Sequence, residues 1–459
     1  MTDIRRSNAG KGEKGCAVLQ IDTEVVLSRF DKGMLAVLAH RTWQAGAGLI
    51  TLACIAYFLS PVEQGYYYTF ASLAALQMLL DMGLSIVLVQ VAAHEFIGLT
   101  WGKKGEVAGP KPQRFLALVQ KSFRWYAAAA VVFIFAYPAG LFFFAGAPIK
   151  LDYEWCWAWL LLVTATSAGL IFMPALSIVE GSGSVAEVYV VRLIQSIAGA
   201  MAVWITLAAG GGLYAVAMMP IMSTVVSLLW LLICRSQLIA HLFGSVGANF
   251  YWRKEVWPMQ WRLGVSWFCG YLLMQIYTPL LFRIQNPVVA GQMGLTLTVS
   301  NMLTILALAG IVSLTPSFAR AAGERDWSRL DRDFRRAFML STLAFVAGAA
   351  GFMAVRVCLE WTPYGVRFLP TKETAVLLLA VFASYVSGLF AVYLRAHRRE
   401  PFMLLSVIAA MMTVTAAILV APKWGSLGIV MVLALVNTFF YLPVTFWLWT
   451  KLRRAWHRD

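Results

Sequence analysis

The sequence predicts an all-α integral membrane protein with about twelve membrane-spanning helices in two halves. Of its 459 residues, 60% are hydrophobic and only 13% are charged, whereas about 25% of residues are charged in ordinary soluble proteins. Apolar runs of roughly 18 to 25 residues recur from about residue 35 onwards, and each can cross a bilayer core of about 30 Å. A short motif, P-V-x-x-G, also occurs once in each half of the chain.

The apolar runs follow one another with short polar connections between them. The segment that precedes them is polar and basic, and we expect residues 1–34 to form a cytosolic arm without regular structure. The predicted spans have the approximate limits 36–59, 66–92, 125–146, 155–178, 187–209, 213–234, 262–283, 290–315, 337–359, 374–395, 401–421 and 425–449.

Lysine and arginine are distributed unevenly among the connections. If the N-terminus lies in the cytosol, the inside segments hold about 29 of the 37 basic residues and the outside segments hold about six. Because basic residues collect on the cytosolic side of membrane proteins, we predict that both termini are cytosolic. The same alternation favours an even number of spans.

The two halves carry equivalent sequence features. SPVEQG at 60–65 follows span 1, NPVVAG at 286–291 follows span 7, and basic amphipathic segments follow spans 2 and 8. Transporters are often built from such repeats, with the substrate path between them. We therefore predict an N-lobe at 35–236, a cytosolic linker at 237–257, a C-lobe at 258–450 and a cytosolic tail at 451–459.

Several function classes are disfavoured by the composition. The net charge of +15 fits basic loops that meet anionic lipid, and no compact basic domain is left over for nucleic acid. The chain has no P-loop motif, no clustered histidines and no CxxC pair, so we predict no catalytic residues, no metal site and no cofactor. The connections are also too short to form a soluble catalytic domain.

Asp81 is the most informative single residue. It lies within the second apolar run, where a carboxylate is costly unless it is paired, neutralised or hydrated. On a continuous helix Gln77, Asp81 and Ser85 share one face, and Gly83 interrupts the run directly after the acid. One interpretation is a coupling or gating group, formed by Asp81 and Gln77, that responds to a proton or cation or pairs with an arginine. The other is a structural polar clamp between helices.

Three arginines are candidates for binding an anionic substrate. Arg41 and Arg192 lie about one helical turn inside the cytosolic ends of spans 1 and 5, and Arg262 lies at the start of span 7. A guanidinium matches phosphate geometry well. The alternative for any arginine this near an interface, including Arg283 and Arg356, is that it extends to lipid headgroups.

Four stretches resemble a known family, the polysaccharide and O-antigen flippases of the multidrug/oligosaccharidyl-lipid/polysaccharide (MOP) exporter superfamily. They cover about a quarter of the chain. The stretches are LSPVEQGYYYTFASLAALQMLLDMGLSIVLVQVAAHE (59–95), LSIVEGSGSVAEVYVVRLIQ (176–195), WPMQWRLGVSWFCGYLLMQIYTPLLF (257–282) and NPVVAGQMGLTLTVSNML (286–303).

The resemblance implies two six-helix lobes around a central cavity, the architecture of the MATE and other MOP transporters. It also implies a substrate of sugars on a polyprenyl diphosphate, moved from the inner to the outer leaflet of a bacterial inner membrane by alternating access. The implied driver is an H⁺ or Na⁺ gradient or the membrane potential. Expected partners are the lipid-linked glycan, the bilayer and other polysaccharide-assembly membrane proteins.

The same fold also carries drug/cation antiporters, and fold alone does not decide between the two functions. An antiporter for cationic drugs predicts acidic residues in the cavity. This chain instead has about one deep acid and several arginines near the membrane, which favours an anionic substrate. A membrane-bound glycan polymerase or ligase is disfavoured because the chain lacks a large outside loop, and a scaffold without transport is disfavoured by the repeat and the buried charge.

Overall fold

The computed structural model describes residues 13–147, 149, 154–242, 250–395, 397 and 402–457, with backbone alone at 13–31 and 316. Its first half consists of helices and one small antiparallel hairpin. These elements are α1 (Glu13–Phe58), α2 (Pro61–Ala74), α3 (Gln77–Asp81), α4 (Leu84–Glu95), β1 (Thr100–Trp101), β2 (Val107–Ala108), α5 (Gln113–Ile134), α6 (Ala136–Ala145), α7 (Glu154–Gly181), α8 (Val185–Ala208) and α9 (Ala215–Cys234).

The second half contains helices only, apart from a short π-helical turn at Val436–Tyr441. Its helices are α10 (Ser236–Ala240), α11 (Trp252–Glu255), α12 (Trp257–Met274), α13 (Tyr277–Ile284), α14 (Pro287–Ser313), α15 (Thr315–Gly323), α16 (Trp327–Glu360), α17 (Thr371–Arg395), α18 (Met403–Leu435) and α19 (Leu442–Trp456).

The helices account for the predicted spans. Within the described residues, nine helical segments are long and apolar enough to cross a membrane, or ten when α12 and α13, which meet at 45°, count as one. One of the nine, Met403–Trp456, has 54 residues and would be about 80 Å long if straight. It turns at Gly425, where φ is 57°, so it supplies two spans. With α1, which the nine do not include, each of the twelve predicted spans has a helical counterpart.

The two P-V-x-x-G motifs form the same local structure. Pro61 and Pro287 each occupy the first turn of a helix, where proline's missing N–H costs nothing. The preceding residue caps the helix in both cases: Ser60 Oγ accepts from the Glu63 amide, and Asn286 Oδ1 accepts from the Val289 amide at 3.0 Å. We call the membrane face that carries these motifs the motif side.

The lobes meet along α2 and α14, and α12 packs against α3 and α4. Gly65 and Gly291 allow the first contact, because a Cβ on Gly65 would lie 1.8 Å from the carbonyl oxygen of Pro287. One large aromatic and aliphatic core fills the N-lobe and reaches into α13 and α14, and a second core lies within the C-lobe.

Three predictions about the chain's organisation need correction or fall partly outside the described residues. The arm 1–34 was expected to lack regular structure, but α1 begins at Glu13, because helix-forming residues without proline continue the first span backwards. Residues 1–12, 243–249 of the linker and 458–459 of the tail are not described. The second span was expected to be one helix and is instead broken into α2, α3 and α4.

Candidate coupling and substrate sites

Asp81 is the last residue of α3, at a break in the second span. Met82 and Gly83 follow with φ values of 50° and 69°, in the left-handed region, and α4 begins at Leu84. Gly83 suits this conformation because it has no Cβ. It also permits close approach of the other lobe, since a Cβ there would lie 2.8 Å from Cβ of Leu263 on α12. The break therefore lies at the contact between the two lobes.

The Asp81 carboxylate is fully hydrogen-bonded in a buried site. Asp81 is 1% exposed. Oδ1 accepts from the Ser85 amide at 3.3 Å, Oδ2 accepts from the Ser85 hydroxyl at 3.0 Å, and the Tyr126 hydroxyl on α5 also donates to Oδ1. Because Ser85 lies in the first turn of α4, the carboxylate faces the positive end of that helix.

The predicted polar face is present only in part. Asp81 and Ser85 contact each other as expected, whereas Gln77 is half-buried and makes no hydrogen bond to the carboxylate. None of the described arginines forms an ion pair with Asp81. The roles predicted for Asp81 and Gln77 in coupling or gating stay predictions.

Arg41 and Arg192 both lie near a buried histidine. His40 on α1 is 8% exposed, its ring meets Tyr189 of α8 edge-on at 5.9 Å, and both arginines are close enough to act electrostatically on it. The Nδ1 atom of His40 is buried and has no hydrogen-bond partner in the described part of the chain. The ring is covered by α8.

Arg192 is held in place by neighbours on two elements. Its guanidinium forms an ion pair with Glu180 of α7 at 2.8 Å and lies over the Tyr189 ring at 4.9 Å. Arg41 is exposed. Two guanidinium groups and one carboxylate therefore leave this end of the N-lobe with a net positive charge, which we call the His40 cluster (His40, Arg41, Glu180, Tyr189 and Arg192).

The other candidate arginines lie apart from this cluster. Arg262 is exposed on α12 and lies over the neighbouring Trp261 ring at 5.8 Å. Arg283 is exposed and donates to the carbonyl of Phe143 at 3.3 Å. Arg356 is 3% exposed and donates through Nε to the carbonyl of Leu369 at 2.8 Å, so its predicted alternative, extension to lipid headgroups, is wrong.

An apolar cavity of about 520 Å³ separates α1 from the C-lobe near the motif side. Its walls on α1 include Leu52, Tyr57 and Phe58, and the facing wall includes Leu295 of α14 and Phe368. The cavity is lined almost entirely by carbon atoms. It is therefore suited to a hydrocarbon chain that lies between the lobes.

Sequence reasoning missed several residues of these sites. Tyr126 is 45 positions from Asp81, and nothing in the local pattern of α5 marks it as the donor to a distant carboxylate. Glu180 carried a usable signal, since it is an acid at the end of an apolar run in the connection before Arg192. Among the described residues no group of three or more histidines, cysteines or acids could hold a metal ion.

No protein-family model and no curated protein matches the chain by sequence. Solved structures do match. The inward-facing conformation of a multidrug resistance MATE family transporter of the MOP superfamily superposes with a TM-score of 0.61 at 15% identity, covering 93% of this chain and 96% of the other. The chain has the fold of the MOP exporters.

Two further structures support the same conclusion. The MATE multidrug transporter DinF-BH in complex with R6G has a TM-score of 0.59 at 12% identity and covers 93% of this chain and 96% of the other. The lipid II flippase MurJ, in an inward closed conformation, has a TM-score of 0.57 at 13% identity and covers 90% of this chain and 87% of the other. The predicted two-lobe MATE/MOP-like fold is thereby confirmed, while identities this low leave the substrate open.

Proposed function

We propose that the protein is a flippase that moves an oligosaccharide, linked to polyprenyl diphosphate, from the inner to the outer leaflet of a bacterial inner membrane by alternating access. The observation that carries the proposal is the presence of two arginines, Arg41 and Arg192, near the buried His40. A diphosphate needs several donors with positive charge, and guanidinium groups provide these in fixed geometry.

The depth of the cluster fits a headgroup that enters from one leaflet. His40 lies 18 residues before the end of α1, so it is about 27 Å from the motif side along the helix. We place the motif side outside and both chain ends in the cytosol, as the distribution of lysine and arginine predicts. A diphosphate at the cytosolic membrane surface would then meet Arg41 first, because Arg41 is the more exposed of the two.

The apolar cavity beside α1 supports the lipid part of the proposal. A polyprenyl chain is pure hydrocarbon, so its transfer from an apolar environment to water is unfavourable. Leu52, Tyr57 and Leu295 offer such an environment between the lobes, so the tail can stay in contact with the bilayer while the headgroup crosses. The MurJ structure shows that the fold occurs in a flippase for a lipid-linked substrate.

A cation-coupled multidrug antiporter is the second candidate, and Asp81 is the observation that favours it. A cationic drug needs a carboxylate partner within the membrane, and Asp81 is the only fully buried acid among the described residues. Its two oxygens are already engaged by Ser85 and Tyr126. We therefore assign Asp81 to coupling, driven by H⁺, Na⁺ or the membrane potential, and the arginines to the substrate.

The test is a deletion strain of the native host, complemented with wild-type or variant protein. Extracted membrane lipids are analysed by mass spectrometry for polyprenyl-diphosphate-linked oligosaccharide, and surface polymer is measured in parallel. Accumulation of the lipid-linked unit together with loss of polymer is the expected result, and the mass identifies the sugars. Unchanged lipid and polymer with new sensitivity to cationic drugs would instead support the antiporter.

A further inference from the structure

A second cavity, of about 260 Å³, lies inside the C-lobe and is separate from the arginines and from Asp81. Segments α12, α13, α14, α17, α18 and the π-helical turn form its walls. Asn301 lies 14 residues into α14 and Ser384 lies 13 residues into α17, so both are about 20 Å from the motif side. The cavity therefore lies near the middle of a bilayer whose full thickness is about 40–45 Å.

The π-helical turn shapes this cavity. It inserts one extra residue per turn between α18 and α19, and such turns occur frequently at functional sites. Asn437 and Tyr441 within the turn both line the cavity. The Asn437 amide donates to the carbonyl of Ala380 at 3.2 Å, which fixes its orientation and leaves its oxygen able to accept a bond.

The lining is mostly apolar, with several polar groups and no charge. None of the described residues that form the walls is acidic or basic, yet amide and hydroxyl groups lie on several of the surrounding helices. The hydroxyl of Tyr277 is buried and has no hydrogen-bond partner in the described part of the chain.

We propose that this cavity binds an uncharged, hydroxyl-bearing group, and specifically one sugar unit of the cargo. The inference rests on the proposed function, since it takes the sugar to belong to the lipid-linked glycan. Hydroxyl groups both donate and accept, and so do the amide and hydroxyl side chains of Asn301, Ser384 and Asn437 in the cavity wall. The Tyr441 ring in the cavity wall adds apolar surface for contact with a sugar ring.

The volume argues against a whole oligosaccharide in this cavity, and the absence of charge argues against the diphosphate. A cavity of 260 Å³ is smaller than the 300–1,000 Å³ typical of sites for drug-sized ligands, so it admits one compact unit rather than a whole oligosaccharide. A diphosphate would lose its hydration without gaining a cationic partner. The C-lobe cavity thus binds one sugar unit, while the His40 cluster binds the phosphates.

The proposal is tested by binding measurements on purified full-length protein in lipid nanodiscs. Two probes are compared: bare polyprenyl diphosphate and polyprenyl diphosphate that carries one N-acetylhexosamine. Wild-type protein is expected to bind the sugar-bearing lipid about tenfold more tightly than the bare lipid. Asn437→Leu is expected to reduce this ratio to about one and to leave binding of the bare lipid unchanged.

Thr438→Val is the matched control, because it removes a hydroxyl from the same turn at a position that does not line the cavity. It should keep the tenfold ratio. Binding of the bare lipid without any gain from the sugar, or a gain that survives in Asn437→Leu, overturns the inference and leaves the proposed function standing. Failure of the wild type to bind either lipid overturns both.

The same variants distinguish a sugar from a cation. Amide and hydroxyl oxygens can also coordinate Na⁺. Binding of NaCl alone is therefore measured by isothermal titration calorimetry, with choline chloride as the control salt. One result would assign the cavity to a cation and overturn the proposal. Wild-type protein would release heat on binding Na⁺, Asn437→Leu would not, and the sugar-bearing lipid would bind no more tightly than the bare lipid.

Discussion

Gly65 and Gly291, the last residues of the two P-V-x-x-G motifs, pack directly against each other. A Cβ on Gly291 would lie 2.8 Å from the amide nitrogen of Gly65 and 3.0 Å from its Cα. The adjacent Gln64 amide donates to the carbonyls of Gly291 at 3.0 Å and of Arg367 at 2.9 Å. The repeated motif is therefore one of the places where the lobes touch, and it holds them together at the motif side.

Gly65→Ala is expected to open this contact. The added methyl group overlaps the Pro287 carbonyl, and overpacking of this kind costs about 1–3 kcal/mol unless the helices separate. Spin labels on cysteines at Ala209 and Trp361, in a background without the native cysteines, should report a longer distance between the lobes by pulsed electron resonance. Gly46→Ala is the control, because nothing lies within 4 Å of a Cβ there. An unchanged distance in Gly65→Ala would refute the role of this contact in closure.

Glu187→Ala is expected to destabilise the N-lobe strongly. Arg235 is 6% exposed, and its guanidinium forms two bonds to the Glu187 carboxylate, at 3.1 and 2.5 Å, while lying over Trp101 at 4.4 Å. Removing the Glu187 side chain, which is 34% exposed, leaves the buried guanidinium of Arg235 without its charged partner, at a cost of about 1–3 kcal/mol. Thermal unfolding in detergent should show a clearly lower melting temperature for this variant.

The control for that variant is Glu324→Ala, which removes a carboxylate that is 63% exposed and 4.0 Å from its arginine. Exposed pairs contribute about 0–1 kcal/mol, so its melting temperature should stay near that of the wild type. An equal decrease in melting temperature in the two variants would show that burial of Arg235 does not determine the loss of stability.

Arg192→Lys should retain more transport than Arg192→Ala. Lysine keeps the charge but cannot form the planar two-point contacts of a guanidinium with phosphate, so intermediate activity is expected. The rates are measured as flipping of a fluorescent polyprenyl diphosphate in proteoliposomes. Arg329→Ala, at a residue whose side chain is 50% exposed, is the control and should transport normally. Equal activity of the lysine and alanine variants would indicate that Arg192 contacts headgroups rather than substrate.

Much of the architecture was predictable because hydrophobicity fixes it. The bilayer requires each span to be apolar and about 20 residues long, so the twelve spans follow from the sequence. The two lobes follow from a motif that has the same proline and glycine for the same structural reason in each half. Asp81 could be singled out because one acid in an apolar run is costly.

The remaining features depend on contacts between distant segments. The break after Asp81 needs a left-handed Met82, which no local propensity favours, and its hydroxyl donor Tyr126 comes from another helix. The C-lobe cavity depends on a π-helical turn that hydropathy does not reveal. Asn301 and Asn437 were the available signal, since each is an amide within an apolar run.

Asp81 and Tyr126 give the sharpest test of coupling, because two substitutions separate charge from hydrogen bonding. Asp81→Asn keeps the size of the side chain and an acceptor oxygen for Tyr126, but it cannot ionise. If protonation of this carboxylate drives the cycle, flipping in proteoliposomes should fall about tenfold and should no longer depend on an imposed pH gradient. Full activity with the wild-type pH dependence would remove Asp81 from the mechanism and leave it a structural clamp.

Tyr126→Phe complements this test, since it removes one donor and keeps the carboxylate. The buried carboxylate loses one of its three donors, and because a hydrogen bond to a charged group contributes about 1.5–3 kcal/mol, the variant should melt at a lower temperature while its flipping still responds to the pH gradient. Tyr251→Phe, at a residue that is 55% exposed, controls for the loss of a hydroxyl and should resemble the wild type. If Tyr126→Phe also abolished the response to pH, the hydroxyl itself would belong to the proton path and the carboxylate would not act alone.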